Sequence, residues 1–174
     1  MTTTHQDLWR SAAEAFDQRH ALITEADNTR ATPCDDFDIA ALVRHAVDTQ
    51  ISIGALLGVD TAEGASWEPT RAVFGEALSN EDLLEGDVEH PGLGLTSKRR
   101  LMEIATHDMV IHTWDLSRAL GVDDTLPAAN IQPALDSVMA FPEAVREALF
   151  AGPVSTGDDD DPQTRMLAAA GRSR

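Results

Sequence analysis

The sequence predicts an all-α fold, a four-helix bundle with one long crossing loop between its second and third helices. Three observations carry this. Apolar residues recur at three- and four-residue steps over several long stretches. Helix starts and stops fall where those stretches begin and end. The strand signal is poor, with no Tyr, few β-branched runs and no two-residue hairpin pair. At 174 residues the chain suits one domain, which buries roughly 70% of its unfolded surface.

The first helix is expected over 6–26, with Trp9, Ala12, Ala13, Phe16 and Ile23 on its apolar face. A polar stretch containing Pro33 follows. Asp38 is a good N-cap for a second helix that runs to about Leu57, with Leu42, Ala46, Ile53 and Leu57 as its stripe and Gly58 as its stop. Residues 59–96 are less regular. Thr70 to Leu84 could hold one or two short helices, and Pro91, Gly92 and Gly94 mark a loop. Ser97 then caps a long third helix that reaches Leu120 and ends at Gly121. A fourth helix passes through Ile131, Leu135, Val138 and Met139. Pro142 breaks it, and a short helix over 143–150 follows. The segment Gly152–Pro162, with its run Asp158–Asp161, reads as an exposed loop, and Met166 to Ala170 as a terminal helical turn.

Composition excludes several functions. Thirteen Lys and Arg face 30 Asp and Glu, a net charge of −17. Phosphate backbones need clustered cations, so nucleic acid is not an expected partner, and an anionic membrane surface is not either. Cys34 is the only cysteine, so no intramolecular disulfide forms. The start MTTTHQDLWR lacks the apolar run of a secretion signal, and the expected compartment is the cytoplasm. The expected partner is a small-molecule substrate, with a homodimer left open.

The third helix carries the chemistry. Leu101, Ile104, Asp108, Ile111, His112, Asp115 and Ala119 share one face. Its apolar ends point that face at the core, and its middle holds two carboxylates and an imidazole. Burying a carboxylate without a partner costs several kcal/mol. Asp108 and His112 stand one turn apart, a spacing from which one helix can offer two ligands to one ion. A third ligand must come from another helix, and His45 is the only histidine on the second. This His/Asp/His set would suit zinc, nickel, iron or manganese. The plain alternative is a hydrogen-bonded Asp–His pair. Asp115 could pair with Arg118, cap a loop, or act as a supporting acceptor that holds His112.

The remaining candidates are weaker. His107 is expected at the surface or against another helix. His5 and His20 have no partners at useful spacing, and His90 could line a pocket from its loop. Cys34 reads as a buried, inert thiol. Trp9, Trp67 and Trp114 read as core anchors, with Trp114 close enough to the stripe to wall a pocket. There is no Gly-rich phosphate loop, no Ser nucleophile motif and no CxxC pair.

Three segments together resemble one family: TPCDDFDIAALVRHAVD (32–48), IATHDMVIHTWDLSRALGVD (104–123) and DDPQTRMLAAAGR (160–172). They are similar to the small actinobacterial-type proteins related to the N-terminal domain of mycothiol-dependent maleylpyruvate isomerase, within the DinB-like four-helix-bundle metalloenzymes. The resemblance covers nearly the whole chain. It implies that His45, Asp108 and His112 bind a divalent ion, zinc first. It also implies a low-molecular-weight thiol such as mycothiol as cosubstrate, whose metal-activated thiolate attacks an electrophile in a transferase or isomerase reaction. Two departures stand out. Isomerase-type members carry Glu at the position of Asp108, and the bundle is expected to stand without the isomerase's second domain. No role carries over to Cys34. The rival reading is a non-catalytic helical protein that holds a metal or small ligand in the same cavity.

Overall fold

The computed structural model describes residues 3–34, 37–62, 64–150, 152–157 and 160–174. Among them are seven α-helices and one two-stranded sheet: α1 (His5–His20), α2 (Ile39–Leu57), α3 (Trp67–Ala77), β1 (Asp87–His90), β2 (Gly94–Ser97), α4 (Lys98–Leu120), α5 (Ala128–Met139), α6 (Glu143–Leu149) and α7 (Pro162–Ala169). Short 3-10 turns occur at Glu25–Asp27 and Glu81–Leu84.

Local chemistry explains the boundaries. Thr4 and Asp7 form a reciprocal capping box at the start of α1. Asp38 Oδ1 accepts the Ala41 N–H at 2.9 Å and starts α2. Ser97 Oγ accepts the Arg100 N–H at 3.1 Å and starts α4. The first helix stops at His20, short of the expected 26. Thr24 and Asp27 cap each other there and begin a separate 3-10 turn. The expected third helix is α4, which runs from Lys98 to Leu120 after its Ser97 cap.

α4 is the central element: α1, α2 and α5 all pack on it, and α7 packs on α5. Trp9, Phe16, Leu42, Phe74, Leu101, Met109, Trp114 and Val138 lie in the core they enclose. Gln50 ties three helices together. Its Oε1 accepts from Trp9 Nε1 at 2.9 Å, and its Nε2 donates to the Ala105 carbonyl at 2.9 Å. No described helix is long and apolar enough to cross a membrane.

The crossing segment differs from the expected loop. It holds α3 and an antiparallel hairpin in which Asp87 pairs with Ser97 and His90 with Gly94. A three-residue connection, Pro91-Gly92-Leu93, makes the reversal. The Leu93 N–H closes it on the His90 carbonyl at 3.3 Å. Gly94 then takes φ +70°, a left-handed conformation that follows the turn in three-residue hairpins. The segment before α7 is the expected exposed loop over its described residues 152–157, and the acidic run ends in a helix cap. Asp161 caps α7, accepting from Gln163 N at 3.0 Å and Thr164 N at 3.1 Å. Asp160 accepts the Gly157 N–H at 2.7 Å. Residues 158 and 159 lie outside the described residues.

Candidate metal centre

α2 and α4 face each other, and their contact brings His45 to the Asp108–His112 turn. His45 Nε2 lies 3.2 Å from Asp108 Oδ1, and His112 Nε2 lies 3.6 Å from the same oxygen. One ligand atom from each of the three residues falls within 4.8 Å of the others. Ligand atoms that share an ion tetrahedrally, at bonds of about 2.1 Å, stand about 3.4 Å apart. The set therefore has the spacing, as well as the donor chemistry, of a His/Asp/His site.

Two further observations bear on the fit. Asp108 Oδ2 is buried and has no hydrogen-bond partner among the described residues, a costly state for a carboxylate oxygen. A cation would satisfy it. His45 keeps 38% of its side chain exposed, whereas His112 keeps 7%, so the set is open on one side. Burial pushes the Asp108 carboxyl upward, but His112 and His45 outweigh this and hold it below the usual carboxylate range. The hydrogen bond to Asp108 raises the pKa of His45 against the opposing effect of burial.

Asp115 stands behind His112. Its Oδ2 lies 2.9 Å from His112 Nδ1, which places a ring proton on Nδ1 and turns Nε2 toward Asp108. Asp115 is fully buried and is paired with Arg172, not with Arg118. Arg172 Nη2 and Nε reach its two oxygens at 2.9 and 3.3 Å. The guanidinium also donates to the Ala170 carbonyl at 2.7 Å and hydrogen-bonds the Cys34 side chain. Burial works against the Asp115 carboxylate, yet His112 and Arg172 keep its pKa low.

The sequence reading missed Arg172 and Phe37. Arg172 is a buried cation that directly follows the apolar Met166–Ala170 stretch and Gly171, and that placement was the available signal. Phe37 stacks on the His45 ring with centroids 5.0 Å apart and meets His112 edge-on. Of the two places expected for His107, the structure shows the second: it is buried against α5, with Nδ1 2.7 Å from Ser137 Oγ, and burial pushes its pKa down to about 4. Cys34 is half-buried rather than enclosed and lines the cleft described below. Trp114 is a core anchor that does not line this cleft.

No family model, curated protein or solved structure matches this chain.

The three candidate ligands stand in the wall of a cleft of about 620 Å³, a volume suited to a small molecule. Ile104, Ile111, Phe141, Val145 and Leu149 make much of the wall apolar, and His45, Asp48, Ser52, Asp108 and His112 are among its polar groups. Such a site can hold an ion by three protein groups and leave its remaining positions to a molecule entering from the cleft.

Proposed function

We propose that the chain is a divalent-metal enzyme of the DinB-like type, in which His45, Asp108 and His112 hold the ion. On this reading it acts in the cytoplasm as a transferase or isomerase that uses a low-molecular-weight thiol. The observation that carries the reading is the convergence of three ligand atoms at an open cleft, one of them on a carboxylate whose other oxygen is buried without a partner among the described residues. A closed hydrogen-bond network would satisfy both oxygens of Asp108. The order of the longer helices, with the extended passage from α2 to α4, is also that expected of the resemblance.

The residues divide the work. With an ion bound, His45 and His112 would each offer it Nε2, His45 giving up its hydrogen bond to Asp108, and Asp108 would offer negative charge. Asp115, braced by Arg172, keeps His112 in the one tautomer that can ligate. An ion held by these residues would supply Lewis acidity, lowering the pKa of a thiol brought to it from the cleft. The apolar walls keep water from the electrophile beside it.

The test is thiol conjugation. Zinc-reconstituted protein is incubated with mycothiol, or a simpler thiol, and a chromogenic electrophile. Saturable turnover that His45→Ala abolishes is the expected result. Metal-loaded protein that is inert with every thiol supplied would instead favour a non-catalytic binding protein.

A further inference from the structure

A fourth histidine faces the same cleft from the opposite kind of element. His90 is the last residue of β1 and lines the cleft. Its Nδ1 accepts two backbone N–H groups, those of Gly92 and Leu93, each at 3.1 Å. A ring nitrogen that accepts carries no proton, so the proton sits on Nε2. The hairpin turn thus sets the tautomer. Nε2 occupies the ring edge away from the turn. It makes no hydrogen bond among the described residues and is not sealed from solvent. His90 thus brings to the mainly apolar cleft a ring whose Nδ1 is held by the turn and whose Nε2 donor is unused among the described residues.

We propose that His90 is a substrate-recognition residue, whose Nε2–H donates to the oxygen of a neutral carbonyl compound: an aldehyde, ketone, amide or ester. The apolar part of that compound lies against Phe141, Val145 and Leu149. Charge selects the neutral class. Asp48 and Asp108 also line the cleft, the chain carries −17, and the guanidinium of Arg172 is committed to Asp115 and the Ala170 carbonyl. In the metal-free protein a carboxylate ligand would meet like charge there; with an ion bound Asp108 is neutralised and Asp48 keeps that sign, whereas a carbonyl oxygen needs only the donor in either state. As an identification of the electrophile this rests on the metal–thiol reading; as an account of binding it stands on the cleft alone.

Two variants separate recognition from turn formation. His90→Asn keeps an acceptor for the turn N–H groups, as Asn does in Asx turns, and loses the donor at the far edge. His90→Gln keeps an amide donor near the position of Nε2 and loses the turn acceptor. The probe is benzamide, titrated into the metal-free full chain and followed by NMR at the histidine Cε1–H and at the Ile104, Ile111 and Leu149 methyls. Toluene, which has no carbonyl, is the control. Saturable benzamide binding is expected, weakened about tenfold in His90→Asn, as for one lost hydrogen bond. His90→Gln should stay closer to wild type, and toluene should not distinguish the three proteins. Benzamide that fails to bind, binding unmoved by His90→Asn, or a greater loss in His90→Gln than in His90→Asn would each overturn the proposal. Zinc uptake measured on the same samples keeps the two readings apart. Zinc bound without any dependence of benzamide on His90 removes this inference alone. Dependence on His90 in a protein that takes no metal removes the metal reading and leaves this one.

Discussion

Asp115 is bonded on both sides, to His112 and to Arg172, with no exposure to water. Asp115→Asn keeps the shape of the side chain and removes its charge. The ring of His112 then loses its anionic acceptor, and Arg172 is left as a buried charge without its counter-ion. Metal affinity should fall about 10–100-fold, read by competition with a chromophoric chelator. Unfolding in urea should show a loss of about 3–5 kcal/mol, the usual cost of breaking a buried pair from one side. Unchanged affinity in the folded variant would show that His112 needs no support. The cluster of His45, Asp108 and His112, with Asp115 behind it, was legible in the sequence because helical spacing alone puts the last three on one face and His45 was the only histidine on the second helix. Arg172 was not. Fifty-seven residues separate it from Asp115, and no periodicity links a chain end to the middle of a distant helix. Phe37 escaped for the same reason, since it lies in a connection where no repeat fixes direction.

The elements were readable wherever capping and periodicity agreed. The cap at Asp38 and the stop at Gly58 bound α2, and Ser97 and Gly121 bound α4, as their chemistry predicts. The hairpin carries no two-residue turn signal in the sequence, because Pro91-Gly92-Leu93 with Gly94 is a three-residue solution. Of the two places open to His107, the surface and another helix, the second holds because α4 has little solvent face. With α1, α2 and α5 all packed on it, α4 buries residues around much of its circumference. α7 was read as one turn because its cap sits inside an acidic run that looks like plain solvated loop. That cap is testable. Asp161→Ala should lower stability by about 1 kcal/mol, seen as a drop in melting temperature, while Asp161→Asn, which can still cap, should cost far less. Equal effects from both variants would mean that the backbone bonds at Gln163 and Thr164 contribute nothing.

At the scale of the whole molecule, the C-terminal segment closes the core and braces the candidate centre. Met166, Leu167 and Ala170 are fully buried, Gln163 bonds Leu126 N and the Asp124 carbonyl, and Arg172 reaches Asp115. Removal of residues 162–174 should therefore do two things together. It deletes two large buried side chains, each worth about 2–5 kcal/mol, against a total stability of about 5–15 kcal/mol. It also leaves Asp115 buried without its cation. The truncated chain should lose its cooperative thermal transition, or keep one only far below that of the full chain. A truncated protein with the full-length melting temperature and metal affinity would show the tail to be an accessory.

The most direct measurement is metal content and melting temperature of the wild type and His112→Ala, side by side. Both are purified without a polyhistidine tag, equilibrated with zinc and then dialysed. A mononuclear His/Asp/His centre predicts about one zinc per wild-type chain, a higher melting temperature with zinc than without, and neither effect in His112→Ala. The closed-network alternative predicts no metal in either protein and a loss of about 1–3 kcal/mol in His112→Ala from the buried group left unpaired. A wild-type protein that stays metal-free when zinc, nickel, iron and manganese are each supplied would contradict the central claim.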